Sequence, residues 1–284
     1  MSNYGDSDLI SAVTVTVTIS PDDVLADIPG WEDSIWTELM GGQTNKTWQV
    51  VSGNRKGVLK IDKELRVEPF NTRYKEAQVQ TSAARSGLAP QVILASDTVY
   101  FTEYAEGTVW NRRCFNEDGN IERIAAALKK LHALPLTGRS FDARTAAKRY
   151  AQENRSLDSV VVDRCTEIIS RIRSPRNLCC CHNDLVAENI ITTPELKFLD
   201  WEYACDNDPF FDLATIVEHH ELDDSQAARL LNAYFDGAGE RWRENLQQQR
   251  KLYLALLCLW MGARPDCDPS DLGTVVQRLS TSYF

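Results

Sequence analysis

The sequence predicts an α+β protein with two lobes: a small antiparallel-sheet lobe in residues 1–104 and a mainly helical lobe in residues 105–284. Two observations predict this division. Residues 34–103 alternate short β-prone runs with glycine and polar turns, which is the pattern of an antiparallel meander. Beyond Gly107, which we read as a hinge, leucines and alanines recur at helical spacing over most of the remaining chain.

The first lobe is predicted to hold one sheet and one main helix. Ser20 is expected to cap a short helix that begins at Pro21. Alternating valines and threonines predict a further strand over Ala12–Ile19, to which no role is assigned. The sheet strands are predicted at Ser34–Met40, Thr47–Val51, Gly57–Ile61, Gln91–Ala95 and Thr98–Glu103, with the helix at Thr72–Arg85.

The second lobe is predicted to be helical apart from one β-rich interruption. Leu178–Cys181 reads as a short buried strand, and Ile190–Thr192 with Leu196–Leu199 as a hairpin. The predicted helices are Ile121–Leu134, Ala143–Glu153, Leu157–Arg173, Asp212–His220, Ser225–Phe235 and Arg241–Met261.

Composition excludes several classes of function. The chain of 284 residues carries 41 acidic and 31 basic side chains, a net charge of −10 that disfavours nucleic acid as a partner. The longest apolar run, Tyr253–Ala263, is too short to span a bilayer, and the N-terminus lacks a signal-peptide pattern, so we expect no membrane partner and a cytoplasmic protein. The eight cysteines include no CxxC pair and are expected to be reduced core thiols.

The chemically informative stretch is HNDLVAEN, residues 182–189, followed by Asp200-Trp201-Glu202. Phosphoryl transfer needs a carboxylate that orients or deprotonates the nucleophile, and hard oxygen ligands for Mg²⁺ on the nucleotide phosphates. Asp184, Asn189 and Asp200 supply that set, with the predicted hairpin between the last two.

These motifs resemble the catalytic loop and metal aspartate of the aminoglycoside phosphotransferase and choline/ethanolamine kinase group, which has a protein-kinase-like fold. The resemblance implies that Asp184 is the catalytic base, that Asn189 and Asp200 bind Mg²⁺, and that His182 positions the loop. The glycine of the protein-kinase DFG motif is absent, because Trp201 and Glu202 follow the aspartate. This departure favours a small-molecule substrate over a protein.

The same resemblance implies an ATP site in the first lobe. The glycine turn with Gly41, Gly42 and Asn45 lies where the family carries its nucleotide loop, although neither GxGxxG nor a Walker A sequence is present. Lys60 would bind the α- and β-phosphates with Glu76 as its helix partner, for which Glu64 and Glu68 compete. The linker Tyr100–Tyr104, with Glu103 and Tyr104 at its end, would hold the adenine.

The substrate pocket is implied by the segment that follows Asp200, which is similar to the choline and ethanolamine kinase signature. It assigns Glu202, Tyr203 and Glu218 to the substrate, although Glu218 stands one position earlier than in eukaryotic choline kinases. Trp260 matches a late tryptophan of that family, whereas Leu257 or Leu256 takes the place of its usual second aromatic residue. Aromatic faces of this kind bind quaternary ammonium groups.

The charge distribution also favours a cationic substrate. Residues 182–224 contain twelve acidic side chains and one lysine, a local charge of −11 that leaves the rest of the chain near +1. We therefore expect an ATP- and Mg²⁺-dependent kinase of a small cationic alcohol, with choline or ethanolamine preferred. Thiamine kinase, aminoglycoside phosphotransferase and a catalytically silent nucleotide-binding module are the alternatives.

Overall fold

The computed structural model divides the chain into two compact units and describes residues 19–39, 45–63, 72–173, 175 and 177–281. One unit contains Met1–Ala77 and Val92–Tyr104 and is built on an antiparallel sheet. The other contains Gln78–Gln91 and Ala105–Phe284 and is mainly helical. The α+β class is thus confirmed. The predicted boundary after residue 104 differs in one respect, because Gln78–Gln91 belongs to the helical unit.

The sheet of the first unit has five antiparallel strands in the order β1-β2-β3-β5-β4. All five predicted strands are present, within a few residues of their expected ends. Alternate side chains of the central strands form the core, where Val50, Leu59 and Phe101 are fully buried. The strands are β1 (Ile35–Leu39), β2 (Asn45–Ser52), β3 (Arg55–Asp62), β4 (Val92–Ala95) and β5 (Val99–Glu103).

The short helix before the sheet, α1 (Pro21–Leu25), begins where the sequence predicts. The Ser20 hydroxyl accepts from the Asp23 backbone N–H at 3.2 Å, and the Asp23 carboxylate accepts from the Ser20 N–H at 2.9 Å. This reciprocal capping box satisfies two otherwise unpaired groups at the helix start. The predicted strand Ala12–Ile19 lies outside the described residues except for Ile19.

Helix α2 (Arg73–Arg85) is shared by the two units. Its second half places Val79, Ala83 and Ala84 in the core of the helical unit. Its first turn is held to β3 by Arg73, whose fully buried guanidinium lies 2.6 Å from the Asp62 carboxylate. Helix α2 thus contributes apolar side chains to the core of the helical unit and an ion pair to the sheet unit.

The second unit holds all six helices that the sequence predicts there, and one further helix at the C-terminal end. A long central helix, α8, packs against α4, α5, α6 and α9. Among the described residues, every helix is too short or too polar to span a lipid bilayer. The helices are α3 (Asn120–His132), α4 (Ala143–Gln152), α5 (Ser159–Arg171), α6 (Pro209–His219), α7 (Asp224–Tyr234), α8 (Arg243–Ala263) and α9 (Pro269–Thr281).

Short strands within the helical unit carry the predicted catalytic segments. The predicted buried strand and hairpin are present, and two strands that the sequence did not predict, β6 and β10, complete two small antiparallel sheets. Gly107 is needed beside this hairpin, because a Cβ there would lie 2.2 Å from the Thr192 carbonyl oxygen. The strands are β6 (Thr108–Val109), β7 (Cys179–Cys181), β8 (Ile190–Thr192), β9 (Leu196–Phe198) and β10 (Cys205–Asn207).

Candidate active site

The predicted catalytic loop, residues 182–189, joins β7 to β8, and its first residues are hydrogen-bonded to α6. Asp212, in the first turn of α6, is fully buried. One oxygen of its carboxylate accepts from the His182 N–H at 2.9 Å and the other from the Asn183 N–H at 2.8 Å. A single buried carboxylate therefore fixes the start of the loop.

Asn183 adopts the left-handed backbone conformation, with φ +66°. This region is unfavourable for most L-residues, and asparagine is among those that tolerate it best. Its side-chain oxygen accepts from the Asn207 amide at 2.7 Å, and its amide donates to the Tyr203 carbonyl at 3.0 Å. These contacts hold the strained turn and point to the functional need for it.

Asp184 and Asn189 are joined by their side chains. The Asn189 amide nitrogen donates to both the backbone oxygen and the carboxylate of Asp184, each at 2.9 Å. Both of its protons are thereby used, so the group that Asn189 can offer to a metal ion is its amide oxygen.

Asp200 follows β9 in a left-handed conformation, with φ +61°. The backbone next to it is tied to the loop, because the Leu199 N–H donates to the Asn189 carbonyl at 2.9 Å. The hairpin thus brings the backbones of the two predicted metal ligands together. An amide oxygen and a carboxylate form the hard donor set that Mg²⁺ prefers, and the chemistry of these residues fits that ion.

The Asp184 carboxylate has a raised pKa. Burial raises its pKa to about 7, with further increases from the negative charges of Asp200 and Glu202, while the hydrogen bond from Asn189 opposes the shift. A bound cation would offset this repulsion. A carboxylate with an affinity for protons near neutrality is suited to general-base chemistry.

His182 is fully buried and serves the loop through its geometry. Its Nε2–H donates to the Leu199 carbonyl at 3.0 Å, and its ring lies 4.8 Å from that of Trp201. Burial lowers the pKa of the imidazole, which favours the neutral ring. His182 therefore joins the start of the loop to the backbone just before Asp200, and its positioning role stays a prediction.

The predicted substrate residues do not all lie in one environment. Glu202 is half-buried and near enough to Asp184 to raise its pKa, and Tyr203 is 45% exposed. Trp260 is half-buried on α8, and the Arg264 guanidinium lies 4.5 Å from its ring centroid. One position for a cation on this ring is therefore already taken by the protein itself.

Glu218 requires a correction, because its surroundings do not suit a substrate ligand. The residue is 2% exposed. One carboxylate oxygen pairs with Arg250 of α8 and the other with Arg278 of α9. The carboxylate thus forms ion pairs that connect α6 to α8 and α9. We therefore no longer expect Glu218 to contact the substrate.

In the first unit, the predicted nucleotide residues lie on or beside the sheet. Lys60 is in β3 and is paired with Tyr100 on β5. Asn45 is buried at the start of β2, where its side-chain oxygen accepts from the Thr47 hydroxyl at 2.9 Å. Glu103 ends β5, and the Tyr104 N–H donates to a β3 carbonyl at 3.0 Å. Gly41 and Gly42 lie outside the described residues, as do Glu64 and Glu68.

Glu76 has a partner that the sequence did not predict. Its carboxylate accepts from the Arg73 guanidinium at 2.6 Å, and both side chains are fully buried. Arg73 also binds Asp62, so one arginine bridges two acids of the first unit. Sequence reasoning missed Arg73 and the role of Asp212, because neither residue stands in a motif that marks it as buried.

Comparisons with known proteins agree with the fold. The phosphotransferase enzyme family model matches residues 35–245. Protein LicA of Haemophilus influenzae is 30% identical over 248 residues, 80% of this chain and 92% of the relative.

Solved structures of similar fold include two kinases. Choline kinase LicA from Streptococcus pneumoniae has a TM-score of 0.72 and 22% identity, covering 87% of this chain and 92% of that one. A choline/ethanolamine kinase family protein from Mesorhizobium loti has a TM-score of 0.71 and 25% identity, covering 90% and 91%. The family match spans the predicted catalytic loop, the hairpin and all five strands of the sheet, and the chain belongs to the phosphotransferase enzyme family as a small-molecule kinase of choline-kinase-like fold.

Proposed function

We propose that this kinase transfers the γ-phosphoryl group of ATP to the hydroxyl of a small cationic alcohol, with choline or ethanolamine as the preferred substrate. The observation that carries the proposal is the joined arrangement of Asp184, Asn189 and Asp200 on one loop and hairpin. The names of similar proteins, which include choline and ethanolamine kinases, support the substrate class.

In the proposed mechanism, the Asp184 carboxylate accepts a hydrogen bond from the substrate hydroxyl and takes its proton as the oxygen attacks the γ-phosphorus. The new O–P bond forms as the bond to the β-phosphate oxygen breaks, and ADP leaves. The Asn189 amide oxygen and the Asp200 carboxylate would hold Mg²⁺, which neutralises charge on the phosphates. Lys60 and Asn45 are proposed nucleotide contacts, with Glu76, Glu103 and Tyr104, and with Gly41 and Gly42 in the preceding turn.

We propose that carboxylates and aromatic faces bind the positive charge of the substrate. Glu202 and Tyr203 follow the metal aspartate directly, and Trp260 offers an indole ring. The excess of acidic side chains over residues 182–224 would raise the local concentration of a cation. Aminoglycosides and thiamine are also cationic, so they are assayed beside choline and ethanolamine.

The first experiment measures Mg²⁺-dependent ADP release with choline, ethanolamine, thiamine, homoserine and kanamycin. We expect Asp184→Asn to lower kcat by about 10²–10⁴-fold with little change in nucleotide affinity. Asp200→Ala should abolish turnover. Glu188→Gln, which removes an exposed acid of the same loop, is the matched control and should keep most of the activity. Undiminished turnover in Asp200→Ala, or no turnover of any alcohol by the wild type, would contradict the proposal.

The second experiment tests the charge of the substrate. The alcohol 3,3-dimethylbutanol has the shape of choline without its charge. We expect its kcat/KM to be lower by a factor of about 10 or more, which corresponds to a loss of about 1.4 kcal/mol and is within the roughly 0.5–2 kcal/mol of a cation–π contact. Glu202→Gln and Trp260→Ala should raise KM for choline more than for the neutral alcohol. Equal kcat/KM for the two alcohols would remove the cationic substrate and leave the kinase assignment intact.

A further inference from the structure

A cluster of soft metal-ligating side chains lies on the side of β7 that faces α3 and α6. It consists of His132 at the end of α3 and of Cys179 and Cys181 in β7. One ligand atom from each residue lies within 4.8 Å of the other two, and no other such group of His, Cys, Asp or Glu occurs among the described parts of the chain. The two cysteines form a CxC pair, which is one residue shorter than the CxxC pairs typical of zinc sites.

The sulfur geometry favours a shared metal ion over a disulfide. The two Sγ atoms are 3.6 Å apart. Two thiolates on a tetrahedral zinc ion, at about 2.3 Å each, would be about 3.8 Å apart, so little movement is needed. A disulfide needs about 2.05 Å between the sulfurs and Cα atoms no more than about 6.8 Å apart. Residues i and i+2 of a strand are already about 6.6–6.8 Å apart, at the limit of that range.

The hydrogen bonds of His132 prepare its other nitrogen for a metal. Nε2 lies 3.1 Å from the Asp212 carboxylate, which can only accept, so Nε2 carries the proton. Nδ1 is then the unprotonated nitrogen, and its lone pair accepts from the Tyr234 hydroxyl at 2.6 Å, a place that a metal ion would take from that proton. An imidazole held by a carboxylate on one nitrogen and by the metal on the other is the usual arrangement in protein zinc sites.

Charge balance also fits the site. Burial raises the pKa of the Cys181 thiol, so a thiolate there needs a cation close to it. A divalent ion with two thiolates and one neutral imidazole is electrically neutral, which reduces the cost of placing it in a buried region. Binding releases two thiol protons, and affinity should therefore rise with pH.

We propose that His132 Nδ1, Cys179 Sγ and Cys181 Sγ bind a thiophilic ion of the Zn²⁺ class, with the Tyr234 hydroxyl or water in the fourth position. Its sulfur and nitrogen ligands distinguish it from the oxygen site proposed for Mg²⁺. It shares Asp212 with the catalytic loop, because that carboxylate also accepts from the His182 and Asn183 N–H groups.

The test is a Co²⁺ titration of the reduced, metal-free full-length chain followed by visible and near-ultraviolet absorption. We expect one equivalent to give tetrahedral d–d bands and a thiolate-to-cobalt charge-transfer band. Cys179→Ser and Cys181→Ser should each weaken binding at least about 10-fold, since the loss of even a residue that only supports a ligand typically costs about 10–100-fold in metal affinity. Cys180→Ser is the matched control, because its side chain points to the opposite face of the same strand.

A second measurement keeps the test decisive if a serine variant does not fold. In the wild type, Zn²⁺ should protect Cys179 from alkylation, as read by peptide mass spectrometry, while Cys114 and Cys267 react equally with and without the ion. Zn²⁺ should also raise the melting temperature of the wild type. The proposal is wrong if no thiolate-to-cobalt band appears, if the band survives in Cys179→Ser and Cys181→Ser alike, or if Zn²⁺ leaves Cys179 unprotected.

Discussion

The role of each aspartate in the helical unit follows from the charges and hydrogen-bond donors next to its carboxylate. Asp184 lies near other acids and has a raised pKa. The Asp212 carboxylate instead accepts hydrogen bonds from two backbone N–H groups and an imidazole. Asp206 resembles Asp212, since its oxygens accept from the N–H groups of Thr137 and Gly138. The two buried aspartates thus order different segments, of which only one bears the proposed catalytic base.

The first prediction separates loop order from stability at these two sites. Asp212→Asn and Asp206→Asn should each lower the free energy of unfolding by about 1–3 kcal/mol, because an amide cannot accept with both of its polar atoms. Only Asp212→Asn should also lower kcat strongly, by about 10–100-fold, since it displaces the loop that carries Asp184. Denaturant titrations and steady-state kinetics on both variants check this. Equal kcat losses in the two would contradict the assignment of Asp212 to the loop.

At the scale of elements, buried arginine–carboxylate pairs fasten helices to their neighbours in both units. Arg73 ties α2 to β3 through Asp62, and Glu218 ties α6 to α8 and α9. Such pairs are costly to break singly, because the remaining charge stays buried.

The second prediction tests the corrected role of Glu218. Glu218→Gln should lower the free energy of unfolding by about 2–3 kcal/mol, a value reduced for the partial exposure of Arg250 and Arg278. The KM for a cationic alcohol should change little. Glu202→Gln serves as the comparison, with the opposite expectation of a higher KM and nearly unchanged stability. A selective rise of KM in Glu218→Gln, without loss of stability, would restore the substrate role.

Elements with strong local signals were predicted well, and those that depend on distant partners were not. The hairpin of β8 and β9 is marked by β-branched and apolar residues around Thr193-Pro194-Glu195, and it formed as expected. Strand β10, with the sequence Cys-Asp-Asn, has low β propensity and exists through its pairing with β7. Helix α9 did carry a signal, since Pro269 follows a capping Asp268 and apolar residues recur with helical period, but Gly273 interrupts the pattern.

At the candidate site, the sequence predicted the loop and the role of Asp200 as a metal ligand because these residues occur in a fixed order at short spacing. It could not identify the partners of Glu218, because ion pairs between helices distant in sequence leave no local pattern. Arg73 was missed because no local pattern marks a charged side chain near a helix start as buried. The cluster of His132 with two cysteines needed the fold as well, since α3 and β7 are separated by more than forty residues.

On the scale of the whole molecule, the buried His220 makes the free energy of unfolding depend on pH. His220 is 4% exposed, contacts the Phe115 ring at 4.4 Å, and donates from Nε2 to the Leu185 carbonyl at 3.1 Å. Burial, aided by the neighbouring His219, lowers the pKa of His220 to about 3. In the unfolded chain the imidazole returns to its ordinary pKa of 6.5.

The last prediction follows from the sign of this shift. Because the folded pKa lies below the unfolded one, the unfolded state binds the proton first as pH falls, so stability is complete above pH 6.5 and declines from there toward pH 3. At about 1.4 kcal/mol per pH unit for one proton, the loss from His220 between pH 7.5 and pH 5 is about 2 kcal/mol. His220→Gln keeps a donor for the Leu185 carbonyl and does not titrate, so its free energy of unfolding should decline about 2 kcal/mol less over the same interval, whatever its value at pH 7.5. Urea titrations of both proteins across this range measure the difference. Parallel pH curves would mean that His220 is as easily protonated in the folded protein as in the unfolded chain.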